Sequence, residues 1–431
     1  MTPSIDNPSS RTQDTSYPIT NSHPVKSLIP NDILRLIGSY LIAHDFVRFT
    51  SVNRNLYTQI SSDFCLWNSL LQKNFPGLYL NSQSKAKDPL EVYKHLACVE
   101  RNMRSGKHRS QTLTGHQSGV THVLIDGDRL ISGSIDNTIK IWDPISGDVL
   151  QTLTHHQNRI RSLLMHRGKL ISTSYHSGII KILDLKNRNQ LQELVRHQST
   201  VNSILIHEGR LISASDDFTI KIWNLENCQL FQTLVGHRRC ITHILLHGNQ
   251  LISASQDRTI KIWDLTSGEM LKTLSTYPYP ANNILTYKDK LISASDCHSI
   301  TIWDLQSGEL LQRLIGNFIF VHENKLISAS YDLTIKILDL DSGKELQRLK
   351  GHKAAIARIL IHGDLLISAS NDGIIKIWDL ISGKELQTFT DHQKFIHNIL
   401  MHEGKLISAS DDSTIKIRDF GVFPSDQVQK S

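Results

Sequence analysis

The stretch Leu211–Leu225, LISASDDFTIKIWNL, decides the fold. An alternating apolar/polar run meets a polar turn at Asp216-Asp217, then a second alternating run ends in Trp223. Alternation with period two places one residue set on each face of a strand. Two such runs across a short polar turn form an antiparallel hairpin. The same hairpin recurs eight times, each copy closing at Asp143, Asp184, Asn224, Asp264, Asp304, Asp339, Asp379 or Asp419. The steps between these residues are 41, 40, 40, 40, 35, 40 and 40.

The third unit splits into four strands, roughly 201–206, 211–215, 219–223 and 230–234. A repeat of about 40 residues with four strands and a Gly-His…Trp-Asp frame resembles the WD repeat, which builds β-propellers. The resemblance covers roughly residues 111–420. It implies a mainly β chain, an eight-bladed propeller over 109–421 with a short tail, 422–431. The segment after Asp419 is too polar for an outer strand, so the strand near Gln111–Thr114 is expected to complete the last blade. Such closure removes free sheet edges.

The family's blade network joins a loop His, a strand Ser, a turn Asp and the Trp. Here the His carries over to His116, His156, His197, His237, His352 and His392. The Asp carries over to Asp136, Asp217, Asp257, Asp332, Asp372 and Asp412, and the Trp to Trp142, Trp223, Trp263, Trp303 and Trp378. His176 and Cys297 replace the Asp, and Leu183, Leu338 and Arg418 replace the Trp. The short step into unit 6 lacks the Gly-His segment, and unit 5 has Thr276-Tyr277-Pro278 there. Units 5 and 6 are expected to be the least regular part of the ring.

Upstream, residues 1–25 are rich in Ser, Thr, Pro and Asn, a composition that cannot bury enough apolar surface to order itself. From Ser27 the texture changes. Ile33, Leu34, Ile37, Tyr40 and Leu41 repeat at helical spacing, and Phe46, Phe49, Val52, Leu56 and Ile60 follow. So small and apolar a helical unit leans on a partner or on a neighbouring domain. The string LIPNDILRLIGSYLIAHDFVRFTSVNRNLYTQISSDFCLW resembles the F-box motif along its length, with Ile29 where Leu is usual. That resemblance implies a small all-α F-box domain over 26–72 that docks on a Skp-type adaptor and, through it, a cullin-RING ubiquitin ligase. Its adaptor-facing set would be Leu28, Pro30, Ile33, Leu34, Ile37, Leu41 and Phe46, some of which must instead hold the helices together.

A helical linker is expected over 73–108. Asp88-Pro89-Leu90-Glu91 supplies a cap, a proline at the first position and a Glu three residues after the cap. The helix should run to about Met103, with Leu90, Tyr93, Leu96 or Ala97, and Met103 on one face.

The totals exclude several classes. With 39% hydrophobic and 20% charged residues the composition is globular. No apolar run approaches the ~20 residues of a membrane helix, and the first residues lack the charged-then-apolar order of a secretory signal. The five cysteines share no CxxC spacing, so a reducing cytoplasmic or nuclear setting is expected, or a host cytosol for a bacterial effector. A net charge of +6 is mild for 431 residues, so no nucleic-acid partner is expected. The 22 histidines are mostly placed by the repeat, six in the Gly-His frame and six at a recurrent turn. That placement is structural, so neither metal nor cofactor is expected, and no nucleophile or phosphate-loop motif argues for an enzyme. The Lys of the TIKIW runs reads as a solvated tip on a packed strand.

Client binding is expected where units differ, on the face formed by the loops before each first strand and the turns before the Asp. The candidates are Arg159, Arg161, Tyr175, Arg238, Arg239, Tyr331, Lys353 and Lys394. F-box propellers hold phosphorylated peptides with several arginines, and only Arg161 matches that pattern here. The client is therefore a protein or peptide, phosphorylated or not. The resemblance implies a non-catalytic substrate receptor of an SCF-type ligase. The alternatives are a scaffold with no ligase role and a bacterial effector mimicking such a receptor.

Overall fold

The structure, a computed structural model, describes residues 88–185, 191–295, 297–329 and 332–421. The F-box segment, with Leu28, Pro30, Ile33, Leu34, Ile37, Leu41 and Phe46, lies outside the described residues, as do Asp296 and Tyr331.

Eight four-stranded antiparallel sheets follow one another around a ring. Each is a blade whose first strand lies innermost and whose fourth forms the outer edge. In blade 3 the strands run Val201–His207, Arg210–Ser215, Thr219–Asn224 and Leu230–Val235. The quoted hairpin pairs Leu211 with Trp223 and Ser213 with Lys221. Leu211, Ile220, Ile222 and Trp223 are buried between blades, as period-two alternation demands.

The ring closes as expected. Strand Arg109–Thr114 is the outer strand of the last blade, pairing antiparallel with Thr414–Asp419, Leu113 opposite Ile415. The chain's first propeller strand thus covers the edge of its last.

Blades 5 and 6 are the irregular ones. Their inner strands, Asn283–Tyr287 and Phe318–His322, have five residues; the other six inner strands have seven. Those six share a register shift at the second residue that blades 5 and 6 lack. In blade 6 the chain takes a shorter path into the inner strand. A Cβ on Gly316 would collide with the Ser328 hydroxyl and the Ile300 Cδ1, so any larger residue there must displace both.

Three of the seven recurrent lysines correct the sequence reading, while Lys140, Lys181, Lys336 and Lys416 keep partial solvent contact. Lys221, Lys261 and Lys376 are buried, not solvated tips. Each stands opposite a threonine of the outer strand and donates to it: Lys261 to Thr273 at 2.9 Å, Lys376 to Thr388 at 2.8 Å. A buried ammonium needs such partners.

Helix α1 runs Pro89–Ser105, capped by the Asp88 side chain and ended by Gly106 at φ 75°. Its buried face carries Tyr93, Val99, Asn102 and Met103; Leu96 is only half-buried, because Val99 takes the central place. Val99 and Met103 join the core of blades 7 and 8 with Leu365, Ile377 and Phe420. Asn102 donates to the Phe420 carbonyl at 2.7 Å, Gln387 donates to the Arg104 carbonyl at 2.9 Å, and Arg104 pairs with Asp379. Burial disfavours charge on Asp379, yet the Arg104 and Ser382 hydrogen bonds prevail and lower its pKa to about 2. α1 is therefore fixed to the ring by core packing as well as by polar contacts.

Candidate functional site

The blade network holds six of the 22 histidines, one in each of blades 1 to 4, 7 and 8. In blade 1, His116 Nδ1 meets Asp136 at 2.8 Å and Nε2 meets Ser132 at 2.7 Å, while the Trp142 indole N–H donates to Ser132 at 2.7 Å. Thr138 donates to Asp136 at 2.6 Å. Blades 3 and 4 repeat this with His197, Asp217, Trp223 and with His237, Asp257, Trp263. Burial opposes the Asp136 charge, but the Thr138 hydroxyl, two backbone N–H groups and His116 outweigh it and lower its pKa to about 2. These networks staple the inner loop to the sheet.

Two blades depart. Asp372 does not reach His352; it takes the Ser370 hydroxyl and the Ile374 N–H, and His352 Nδ1 is buried without a partner. In blade 2, His176 replaces the Asp, and His156 keeps only Ser172, at 2.8 Å. Burial, then nearby cations, lower the pKa of His156 to about 4.

The loops entering the inner strands and the turns between second and third strands share one end of the ring, called here the upper face. The helix anchor sites at Gly404, Asp379 and Phe420 belong to the turns and strand ends of the opposite, lower face. Every candidate client residue that is described lies on the upper face, at a loop, a turn or the start of an inner strand.

Three of them form a cluster. Arg159 and Arg161 flank buried Ile160, and the Tyr175 N–H donates to the Arg159 carbonyl at 3.0 Å. The Arg159 guanidinium lies 3.8 Å from the centre of the Tyr175 ring and that of Arg161 lies 5.0 Å from it. Arg161 also donates to Asn202 at 3.3 Å, and Asn202 donates to Asp216 at 2.6 Å. This chain crosses from blade 2 to blade 3. Arg238 and Arg239 stand exposed on the loop of blade 4, Lys353 and Lys394 on those of blades 7 and 8. The structure does not bring these four to the Tyr175 cluster.

Sequence reasoning missed the inner ring of the bore. His122, His243 and Arg358 occupy one position of the inner strand, opposite Gly133, Ala254 and Ala369. Arg358 keeps solvent contact although protein surrounds it closely, and burial lowers its pKa. Burial, and then the charges of Arg161, Arg358 and His397, lower the pKa of His122 to about 4. A polar residue at a fixed place in an otherwise apolar strand, as in Ile356–Ile361, was the available signal. Arg161 and Arg358 are thus the cations beside His122, whose ring burial keeps neutral near pH 7.

Comparison with known proteins agrees with this geometry. The WD domain, G-beta repeat family matches residues 107–143, 188–224, 228–264, 343–379 and 383–419. The unmatched units are 2, 5 and 6, each of which replaces a network residue, as the matched unit 8 also does at Arg418. The chain is 30% identical over 149 residues to F-box/WD repeat-containing protein 7 of Drosophila melanogaster, covering 32% of this chain and 11% of that protein. It is 33% identical over 103 residues to F-box and WD repeat domain-containing 11-A of Danio rerio, covering 21% of this chain and 18% of that one. It is 40% identical over 63 residues to the probable E3 ubiquitin ligase complex SCF subunit sconB of Aspergillus oryzae, covering 15% and 9%. The matches thus span less than a fifth of each of these relatives. A crystal structure of the computationally designed Ika8 protein superposes with a TM-score of 0.65 at 27% identity, covering 71% of this chain and 98% of that one. The chain is a WD-repeat β-propeller protein, similar to F-box/WD-repeat proteins and to SCF ligase subunits.

Proposed function

We propose that this chain is a non-catalytic substrate receptor of an SCF-type E3 ubiquitin ligase. Residues 26–72 serve as the handle for a Skp-type adaptor, and the upper face of the propeller holds the client protein. The observation that carries the reading is the division of the described residues between two faces. Unpaired cations and aromatic rings collect at the upper face, whereas α1, which continues from the proposed handle segment, is built into the lower one. A receptor must keep its client face clear of the other contacts of the propeller, and the helix on the lower face leaves the upper one open. The names of the relatives support the same reading.

The test is co-purification of the full chain with a Skp adaptor. Pro30→Ala with Leu34→Ala should abolish it and leave the propeller's thermal unfolding unchanged. Adaptor binding that survives this double substitution, or no adaptor binding by the unaltered chain, would overturn the ligase assignment in favour of a scaffold.

A further inference from the structure

Blades 3 to 5 carry a band of exposed aromatic and guanidinium groups that the fold does not use. In blade 5 the segment that normally reads Gly-His is Thr276-Tyr277-Pro278-Tyr279-Pro280. It has no histidine staple and is held through its backbone. The Thr276 N–H donates to the Arg258 carbonyl at 2.9 Å, and the Tyr279 N–H donates to the Thr276 carbonyl at 3.1 Å. Arg313 donates to the Tyr277 carbonyl at 3.1 Å. The backbone is thereby anchored while the rings point to solvent, Tyr277 at 64% and Tyr279 at 42% exposure. Arg258 lies 5.8 Å from the Tyr277 ring centre.

One blade earlier the pattern continues. Phe218, 42% exposed with φ 70°, holds in blade 3 the turn position that Arg258, φ 66°, holds in blade 4 and Asn137, φ 68°, in blade 1. A left-handed turn favours Asn and strains a bulky residue. In blade 1 the Asn137 side chain donates to the loop of the next blade, at Gln157, which explains its presence. Phe218 has no such bond to make, and its ring is kept outside the core. The loop that follows it around the ring carries Arg238. The Arg238 backbone N–H donates to Asp257 at 2.9 Å, but neither the Arg238 nor the Arg258 guanidinium makes an ion pair among the described residues.

Single exposed aromatics are ordinary on a protein surface. Three on one face, one on blade 3 and two on the loop of blade 5, with Arg238 and Arg258 of blade 4 between them, are the composition of a binding hot spot. We propose that Phe218, Arg238, Arg258, Tyr277 and Tyr279 form a docking band for an acidic segment of the client that carries Asp or Glu beside apolar residues. The arginines meet its carboxylates, and the rings cover its apolar side chains at little entropic cost. The inference rests on the receptor reading and adds a second point of contact, apart from the Tyr175 cluster.

The test selects ligands for the full chain from a phage-displayed library of random peptides. The selected peptides should be net acidic with recurrent apolar residues. Their binding should weaken by about tenfold or more in Tyr277→Ala with Tyr279→Ala, and in Arg238→Glu with Arg258→Glu. It should persist in Arg161→Ala with Tyr175→Ala. Phe218→Asn guards against misfolding: it installs the residue of blade 1, should hold or raise the melting temperature, and should still weaken binding. Basic or neutral selected peptides, no selected peptide at all, or binding lost only with Arg161 and Tyr175 would each overturn the docking band. Adaptor co-purification, measured on the same variants, should be unchanged, so failure here leaves the ligase reading to its own test.

Discussion

Arg418 and Asp391 replace, as a pair, the tryptophan and glycine of blades 1, 4 and 7. In blades 1, 4 and 7 the glycine before the histidine lies under the Trp ring: a Cβ on Gly115, Gly236 or Gly351 would stand 3.0–3.1 Å from the Cη2 of Trp142, Trp263 or Trp378. Arg418 leaves that space, and Asp391 fills it with the carboxylate that the guanidinium requires. Arg418 also donates to Ser408 at 3.4 Å, the part played elsewhere by the indole N–H, and lies over Phe389 at 4.7 Å. Burial disfavours the Asp391 charge, but the Arg418 charge and hydrogen bond outweigh it and its pKa falls below the usual carboxylate value.

Removing one member of this pair should therefore cost more than removing both. Arg418→Ala should destabilise the propeller by about 2–3 kcal/mol, below the range for fully buried pairs because Asp391 retains solvent contact. Asp391→Gly with Arg418→Trp restores the combination of blades 1, 4 and 7 and should recover most of that loss. Urea unfolding of the single and double variants measures the coupling. Additive losses would show that the two positions are independent.

Blade 7 shows what happens when one member of the network is missing. Thr138, Thr219, Thr259 and Thr414 each hold the turn Asp by a side-chain hydrogen bond of 2.6–2.7 Å. Ile374 stands at that position in blade 7, Asp372 turns to Ser370, and the His352 Nδ1 is left unpaired. Ile374→Thr should return Asp372 to His352 and stabilise the chain by about 1 kcal/mol, the net worth of a recovered hydrogen bond. A rise in melting temperature, with a raised His352 pKa by NMR titration, is the expected result. An unchanged His352 pKa would show that the network stays broken.

The ring was legible because a period of two inside a period of forty leaves few other folds. The hairpins, the closing strand at Leu113 and the irregular blades 5 and 6 all follow from patterns within one repeat. What crosses between repeats was not legible. The link from Arg161 through Asn202 to Asp216, and the nearness of His122 to Arg358, depend on how blades are set around the bore. The lysines misled because a long side chain beside apolar residues looks the same whether its ammonium is solvated or bonded to a threonine across the sheet. Val99 was overlooked because helical spacing alone cannot say which of two adjacent stripes meets the ring.

Gly316 is a second place where the chain depends on its smallest residue. Its would-be Cβ meets the Ser328 hydroxyl at 1.8 Å and the Ile300 Cδ1 at 2.8 Å. Gly316→Ala should destabilise by about 1–3 kcal/mol, the usual cost of overpacking. Adding Ser328→Ala removes the closer of the two obstacles and should recover part of it. Thermal melts of both variants decide, and no loss in Gly316→Ala would mean that the shortened loop relaxes freely.

Acid should unfold the protein in two stages. His122, His156, His352 and His362 each have a folded pKa of about 4, with burial as the largest cause. The unfolded chain binds their protons from about pH 6.5, the ordinary histidine value, so below that pH it holds more protons than the folded chain. Stability contributed by these neutral rings is complete above that pH and is lost as pH falls towards about 4. The network aspartates act lower. Asp136 and Asp379, with folded pKa values of about 2, add stability that is complete above the unfolded carboxylate value, about 3.9, and is lost below it. The melting temperature should thus begin to fall below about pH 6.5 and fall more steeply below about pH 4. His156→Gln should flatten the first decline, because glutamine can donate to Ser172 without taking a proton. A melting temperature independent of pH down to about 4.5 would mean that the buried rings accept protons without opening the blades.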